Sequence, residues 1–299
     1  MVNTIKSRFS IKDVENLSGV KAHTIRIWEK RYTLFEPKRT ETNIRYYTTT
    51  DLKKILNVAF LVEKGMRISK ISKLNNEELR ESIVLEISNS TTSNSYENSI
   101  LLAMINFDQF QFETIYNTLT TEFSFREIFN DLFIPLLNKI GLQWQSNTIT
   151  PAHEHFISNL IYQKLHVNIE KVSQTEIAKT DKIFVLFLPM NEIHDLGLLY
   201  IQYELNLKGY KTIYLGNSVP IESLESIKDL YNNITYISYF TIYPAIDQVE
   251  NYLGNFNDRY LQNDNELWIL GRNTSVLTSS NTVKNIRPFK DLKSILITI

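Results

Sequence analysis

Glu192, His194 and Gly197 stand in the order E-x-H-x-x-G in a short polar loop. The loop follows an apolar run at 183–188, broken by Pro189, and leads into an apolar helical pattern that begins at Gly197. A neutral imidazole is the commonest side-chain metal ligand, and a carboxylate two residues earlier can hold its second ring nitrogen and so set its tautomer and basicity. Such a loop sits at the carboxyl end of a strand, where open α/β sheets keep their ligands. His194 is thus either a metal ligand backed by Glu192 or a cap on the next helix. A second set, Trp144, Glu154 and His155, has the spacing W-x9-E-H, which would bring an indole, a carboxylate and an imidazole to one end of a helical bundle. Its alternative is a Trp covering a loop and an exposed acid–His pair near a helix start, where a carboxylate is favoured in any case. The third set is basic: Lys21, His23, Thr24 and Arg26 on one helix, with Arg45 and Tyr46 beyond it, suited to phosphates and base edges.

The elements that must position these residues divide the 299-residue chain into several domains. With 43% hydrophobic and 22% charged residues, it has the composition of a soluble globular protein. No apolar run reaches membrane-spanning length, and the first ten residues lack the apolar stretch of a signal peptide. The absence of Cys leaves no disulfide or thiolate metal site and suits the cytoplasm. The net charge of −1 hides an asymmetry: residues 1–78 hold 16 Lys+Arg against 9 Asp+Glu, the rest 16 against 24. A basic head on an acidic body points to a polyanion, and nucleic acid is the first candidate because phosphate neutralisation dominates its affinity.

That head, residues 1–76, reads as a winged helix-turn-helix. Ser10 with Asp13 resembles a capping box opening the first helix. Gly19 supplies the positive φ of the turn. Residues 21–31 form the second helix, burying Ile25 and Trp28 and displaying Lys21, His23, Thr24 and Arg26 to the major groove. The span 32–47 is expected to be a wing, followed by packing helices at 51–64 and 68–74. Residues 77–99, rich in Asn, Ser, Thr and Glu, are expected to be a linker. Residues 100–175 show a helical period that includes Phe107 and Phe110, ends one helix at Gly141 and restarts at Pro151, which suggests a four-helix bundle. In 180–299, strand-like runs at 183–188, 212–215, 234–240 and 267–270 alternate with helical patterns at 197–208, 221–231 and 244–253. This predicts a Rossmann-like, doubly wound parallel sheet whose carboxyl-end loops carry His194, Ser238 and Gly271.

The run of Ser10–Val14 residues, Gly19-Val20, T-I-R-I-W-E-K-R at 24–31, Arg39 and N-I-R-Y-Y at 43–47 resembles the DNA-binding domain of MerR-family transcriptional regulators. The resemblance implies a dimer on a pseudo-palindromic, double-stranded operator, with Arg26 on phosphate and Arg45 and Tyr46 on the backbone or minor groove. Glu192-x-His194-x-x-Gly197, Ser238-x-Phe240 and Gly271-Arg272 resemble the cobalamin-binding pattern. The preceding W-x9-E-H stretch resembles the helical cap of MerR-headed, cobalamin-dependent photoreceptor regulators of the CarH/LitR type. In that family His194 would be the lower cobalt ligand, oriented by Glu192, while Gly197, Ser238 and Gly271 would line the slot for the nucleotide tail. Trp144, Glu154 and His155 would face the light-labile adenosyl group of adenosylcobalamin. Loss of that group would change a homo-oligomer, dimer or tetramer, and with it DNA binding. Three positions depart from the pattern: Gln145 where the photoreceptors carry a His, Phe240 for a smaller residue, and Arg272 for a second Gly. Other readings are a cobalamin-independent regulator using the α/β domain for protein contacts, favoured by Gln145 and Arg272, and a corrinoid carrier for methyl transfer, disfavoured by the basic head.

Overall fold

The computed structural model describes residues 8–88, 93–145, 149–173, 179–262, 264–276 and 285–299. It forms two compact units, Met1–Ile161 and Tyr162–Ile299.

In the first unit, β1 (Arg8–Phe9) leads into α1 (Ile11–Ser18) and α2 (Ala22–Tyr32), and β2 (Lys38–Arg39) and β3 (Arg45–Thr48) make the wing. Ser10 caps α1 in a full capping box with Asp13, and Gly19 ends it at φ +70°. Strand β3 is central in the small sheet, pairing antiparallel with β1 and β2. Helix α3 (Thr49–Glu63) is launched by the same device, with Thr48 and Asp51 reciprocally bonded, and α4 (Ile68–Ile71) follows. A fully buried Val14, Ile25, Tyr47, Leu52 and Ile55 core then locks the head together, each large apolar side chain contributing about 1.5–3 kcal/mol.

The span expected to be a linker is helical on both sides of residues 89–92, which lie outside the described residues: α5 (Asn76–Ser88) and α6 (Ser93–Asn106). Polar composition masks two short apolar stripes at i, i+4 spacing, Leu79 and Ile83 on α5 and Tyr96 and Ile100 on α6. All four are buried, and both helices pack on α3. Beyond them lie α7 (Gln109–Glu122), α8 (Phe125–Ile128), a π-helical segment Phe129–Phe133, α9 (Ile134–Gln145) and α10 (Pro151–Ser173). Two expectations need correction. Gly141 does not end its helix: α9 continues through it to Gln145, because flanking buried residues such as Leu136 and Ile140 offset the roughly 1 kcal/mol that a helical Gly costs. Trp144 is consequently in the last turn of α9. Phe107 and Phe110 are not core; they sit at the break between α6 and α7, Phe107 at φ +52°, and are 48% and 80% exposed.

In the second unit, a five-stranded, all-parallel sheet is built from β4 (Lys179–Pro189), α11 (Leu196–Leu207), β5 (Tyr210–Val219), a 3₁₀ turn Ile221–Leu224, α12 (Glu225–Lys228), β6 (Ile234–Tyr239), α13 (Val249–Tyr260), β7 (Glu266–Leu270), a 3₁₀ turn Arg272–Val276, β8 (Ile286–Pro288) and α14 (Leu292–Thr298). The strand order is β5-β4-β6-β7-β8. The strand order reverses at β4, between β5 and β6, and the loops after such a switch point form a ligand crevice. Side-chain alternation along β4 splits the core in two: Val185 and Phe187 join one apolar layer with Leu253 and Phe256 of α13, whereas Phe184, Leu186 and Leu188 join the other with Ile201 of α11 and Ile295 of α14. The fifth strand and final helix were not foreseen. The helix expected at 244–253 begins instead at Val249, and that expected at 221–231 is cut to a 3₁₀ turn and one α turn.

Candidate functional site

On the head, α2 presents Lys21, His23 and Arg26 to solvent, with Thr24 half-buried, while Ile25 and Trp28 face inward. Lys21 Nζ reaches Glu15 at 3.0 Å, and the same carboxylate accepts the Ala22 N–H, so Glu15 holds the start of α2. Its carboxyl is held below the ordinary carboxylate value, first by the Lys21 hydrogen bond and then by Ala22. His23 Nε2 lies 3.3 Å from Thr24 Oγ1. On the wing, Arg45 is exposed and Tyr46 half-buried, with the Arg8 guanidinium 4.9 Å from the Tyr46 ring centroid. The Arg39 guanidinium is aimed by Asn43, whose side chain it meets at 2.7 Å. Glu29 accepts the buried Tyr47 hydroxyl, tying α2 to the wing strand. A cationic helix and wing held this way can lie on two stretches of phosphate backbone.

At the carboxyl end of β4 the chain turns through Met190 and Asn191, the latter at φ +68°. The Asn191 N–H donates to Ser218 Oγ at 3.0 Å and the Ser218 N–H to Glu192 O at 3.0 Å, pinning the loop to the end of β5. Glu192 is fully buried. Its Oε1 accepts the N–H groups of Ile193 and His194 and the His194 Nδ1 at 2.5 Å; its Oε2 accepts the N–H groups of Thr241, Ile242 and Tyr243 at 3.1, 2.6 and 2.9 Å. Burial alone pushes such a carboxyl up; here the Ile242 and Tyr243 N–H groups and His194 outweigh it and hold it below its ordinary value. With Nδ1 donating to this carboxylate, Nε2 of the neutral ring carries the lone pair, and the ring is about half exposed. His194 does not cap α11: Asp195 occupies that position.

Asp195 was missed by sequence reasoning. Its carboxylate makes no capping bond and accepts the hydroxyls of Tyr162 and, at 3.1 Å, Tyr214. Burial, then Asp195 itself, raises the Tyr214 hydroxyl far above its ordinary value, so it remains a donor. An Asp directly before an apolar helical run signals an N-cap; only the fold reveals its two tyrosine partners.

Ser238 and Gly271 end β6 and β7 on the same edge of the sheet as His194. Ser238 Oγ is buried without a hydrogen-bond partner, as is Tyr252 OH behind Phe240. A buried polar group left so costs about 1–3 kcal/mol, and invites a ligand or bridging group. Gly271 sits at φ +110°, and a Cβ there would lie 2.4 Å from Phe240 O. A Cβ on Gly197 would come within 3.1 Å of the Tyr239 ring. Asn273, also missed, fixes the loop after β6 by donating to Ile242 O and Pro244 O. Arg272 is exposed, and Phe240 is fully buried in the core. Met190, Ile193, Ile242 and Tyr243 are all exposed around the loop. The second unit therefore brings together Glu192, His194, Gly197, Ser238 and Gly271.

In the first unit, Glu154 and His155 open α10 and meet each other at 3.0 Å, with His155 73% exposed. The Trp144 side chain lies outside the described residues. His153 is instead buried, 2.8 Å from Thr150 Oγ1 and stacked on Phe107 at 4.6 Å. Among the described residues, no group of three or more His, Asp or Glu side chains could hold a metal ion by itself. No described helix is long and apolar enough to cross a membrane.

Residues 9–78 match the MerR HTH family regulatory protein family, and residues 96–167 the B12 binding domain family. The chain is 27% identical over 223 residues to the HTH-type transcriptional repressor CarH of Myxococcus xanthus, covering 72% of this chain and 73% of that protein. It is 25% identical over 218 residues to the HTH-type transcriptional repressor CarA of the same organism, covering 72% and 70%. Among solved structures it shares its fold with the monomethylamine corrinoid protein of Methanosarcina barkeri, at TM-score 0.52 and 11% identity over 73% of this chain and 97% of that one. Residues 9–78 thus resemble a MerR helix-turn-helix domain and residues 96–167 a B12 binding domain.

Proposed function

We propose that this chain is a cytoplasmic DNA-binding transcriptional regulator, not an enzyme, whose operator binding and oligomeric state are controlled by bound adenosylcobalamin. The observation that carries the reading is the Glu192–His194 pair: one imidazole with its Nε2 directed away from a buried, six-fold bonded carboxylate. One protein ligand suffices only for a metal whose other positions arrive with its cofactor, as cobalt in a corrin does. The remaining groups fit the same cofactor. Ser238 Oγ is a buried acceptor and donor without a partner, and the lack of a side chain at Gly271 lets the end of β7 pass close against the Phe240 backbone. Met190 and Ile193 of the same loop, and Ile242 and Tyr243 of the segment that donates to Glu192, are exposed apolar side chains.

When bound, the cofactor would supply a cobalt ion able to accept an imidazole ligand and, in the adenosyl form, a light-sensitive carbon–cobalt bond. His194 holds that ion, and Glu192 keeps the proton on Nδ1. Gly197, Ser238 and Gly271 would line the slot for the nucleotide tail, and Arg272 would either narrow that slot or bind a tail phosphate. The resemblance also assigns Trp144, Glu154 and His155 to the cofactor. The head contributes Lys21, His23, Thr24, Arg26, Arg45 and Tyr46 to double-stranded operator DNA. Cofactor and DNA are coupled only through different cofactor affinity in the two assemblies.

The test is titration of the purified chain with adenosylcobalamin in the dark. Binding is expected to shift the visible spectrum, and His194→Ala to weaken it by at least about tenfold. An unchanged spectrum, or equal affinity of His194→Ala, overturns the cofactor role. Gel filtration and an operator gel shift before and after illumination test the light response; identical profiles select a regulator independent of light.

A further inference from the structure

The first unit contains a cavity of about 480 Å³ between α3, α5 and α7, which neither the DNA surface nor the His194 loop uses. Its floor is apolar: Leu79 and Ile83 from α5 and Ile115 from α7 are all buried. At its rim stands Phe110, 80% exposed. Helix α3 contributes Lys53 and Lys54, both half-buried and neither in an ion pair among the described residues. The lining carboxylate, Asp108, is turned to the start of α7, accepting the Gln111 N–H at 2.9 Å.

Two cationic side chains from consecutive positions of α3 thus line the same cavity as three buried apolar side chains. Their aliphatic stems can lie along the apolar wall while the charged heads remain near the mouth. A ligand complementary to this lining is anionic at one end and apolar along its length. The volume lies within the range of about 300–1,000 Å³ common for small-molecule sites. We propose that this cavity binds an amphipathic monoanion, a carboxylate on an aliphatic tail, with Lys53 and Lys54 on the carboxylate and the tail against Leu79, Ile83 and Ile115. Because α3 belongs to the head and α5 and α7 lie beyond it, such a ligand bridges the two and forms a second effector site, distinct from the His194 loop.

Calorimetric titration of the full chain, without cobalamin, decides the matter with three probes: dodecanoate below its micelle concentration, dodecanol and acetate. Saturable binding of dodecanoate at one site, at least tenfold tighter than dodecanol and without detectable binding of acetate, is the expected result. Lys53→Met with Lys54→Met should lower dodecanoate affinity at least tenfold with the melting temperature retained. Thr114→Trp, at the exposed lining of α7, should block the site without disturbing the floor. Equal binding of dodecanoate and dodecanol, no binding of either, or affinity untouched by both variants would overturn the assignment.

Discussion

Two Glu–His pairs occur in this chain with the same pair of residue types and opposite physics. Glu154 and His155 are adjacent at the start of α10, 3.0 Å apart, with side chains 33% and 73% exposed. Glu192 and His194 are 2.5 Å apart, and the Glu192 side chain is 0% exposed. Water screens the first pair, and contacts of that kind contribute about 0–1 kcal/mol. The second carboxylate has lost its water and is repaid by five backbone N–H groups from two loops and by Nδ1. A pair of residues becomes a device for orienting a ring when the surrounding backbone leaves it one arrangement. The exposed pair keeps many.

This difference can be broken experimentally. Glu192→Ala leaves several buried N–H groups unpaired and should destabilise the second unit by about 3–5 kcal/mol, read as a lowered urea midpoint and as lost hydrogen-exchange protection at 241–243. Retained protection there would mean the carboxylate is dispensable and the contrast with Glu154 is empty. Arg26→Ala, at an exposed position like that of His155, should leave stability within about 0.5 kcal/mol. It should nevertheless weaken DNA binding on all sequences and reduce the salt slope by about 1; unchanged affinity would remove α2 from the DNA surface.

His153 sharpens the comparison with a buried His lacking a carboxylate partner. Burial, then Lys53, lowers its pKa. The folded state therefore binds its proton less readily than the unfolded chain, so its stabilising effect is complete above about pH 6.5, the ordinary value. Below that the unfolded state takes up the proton first, and stability falls as pH falls. Melting of the first unit between pH 7.5 and 5.5 should show this loss, and His153→Phe should flatten it; an identical slope in both proteins would assign it elsewhere. The smallest effect is expected for Glu154→Ala, under about 1 kcal/mol. A larger loss would show that this pair, too, is held by its surroundings.

Much of the head was legible because its signals are local. Ser10 with Asp13, Gly19, and the Ile25 and Trp28 spacing each act within one or two turns, and the structure carries all of them. The span 77–99 was misread because Leu79, Ile83, Tyr96 and Ile100 are sparse among polar residues; their burial depends on α3, thirty or so residues away. Phe107 and Phe110 went wrong in the opposite direction. They keep the helical period in sequence, but the chain breaks at Phe107 and turns both rings outward.

In the opening loop, the sequence alone determined that a His would follow a strand end with a carboxylate two residues before it, since residue order and the break at Pro189 are local matters. It left open whether His194 was a ligand or a helix cap. Tertiary structure decided that: Asp195 occupies the cap position, and residues 241–243, some fifty positions away, close around Glu192 and turn Nε2 away from it. The physical reason is that a buried carboxylate needs more donors than its own loop can supply. Where they come from is set by the parallel pairing of β4 with β6.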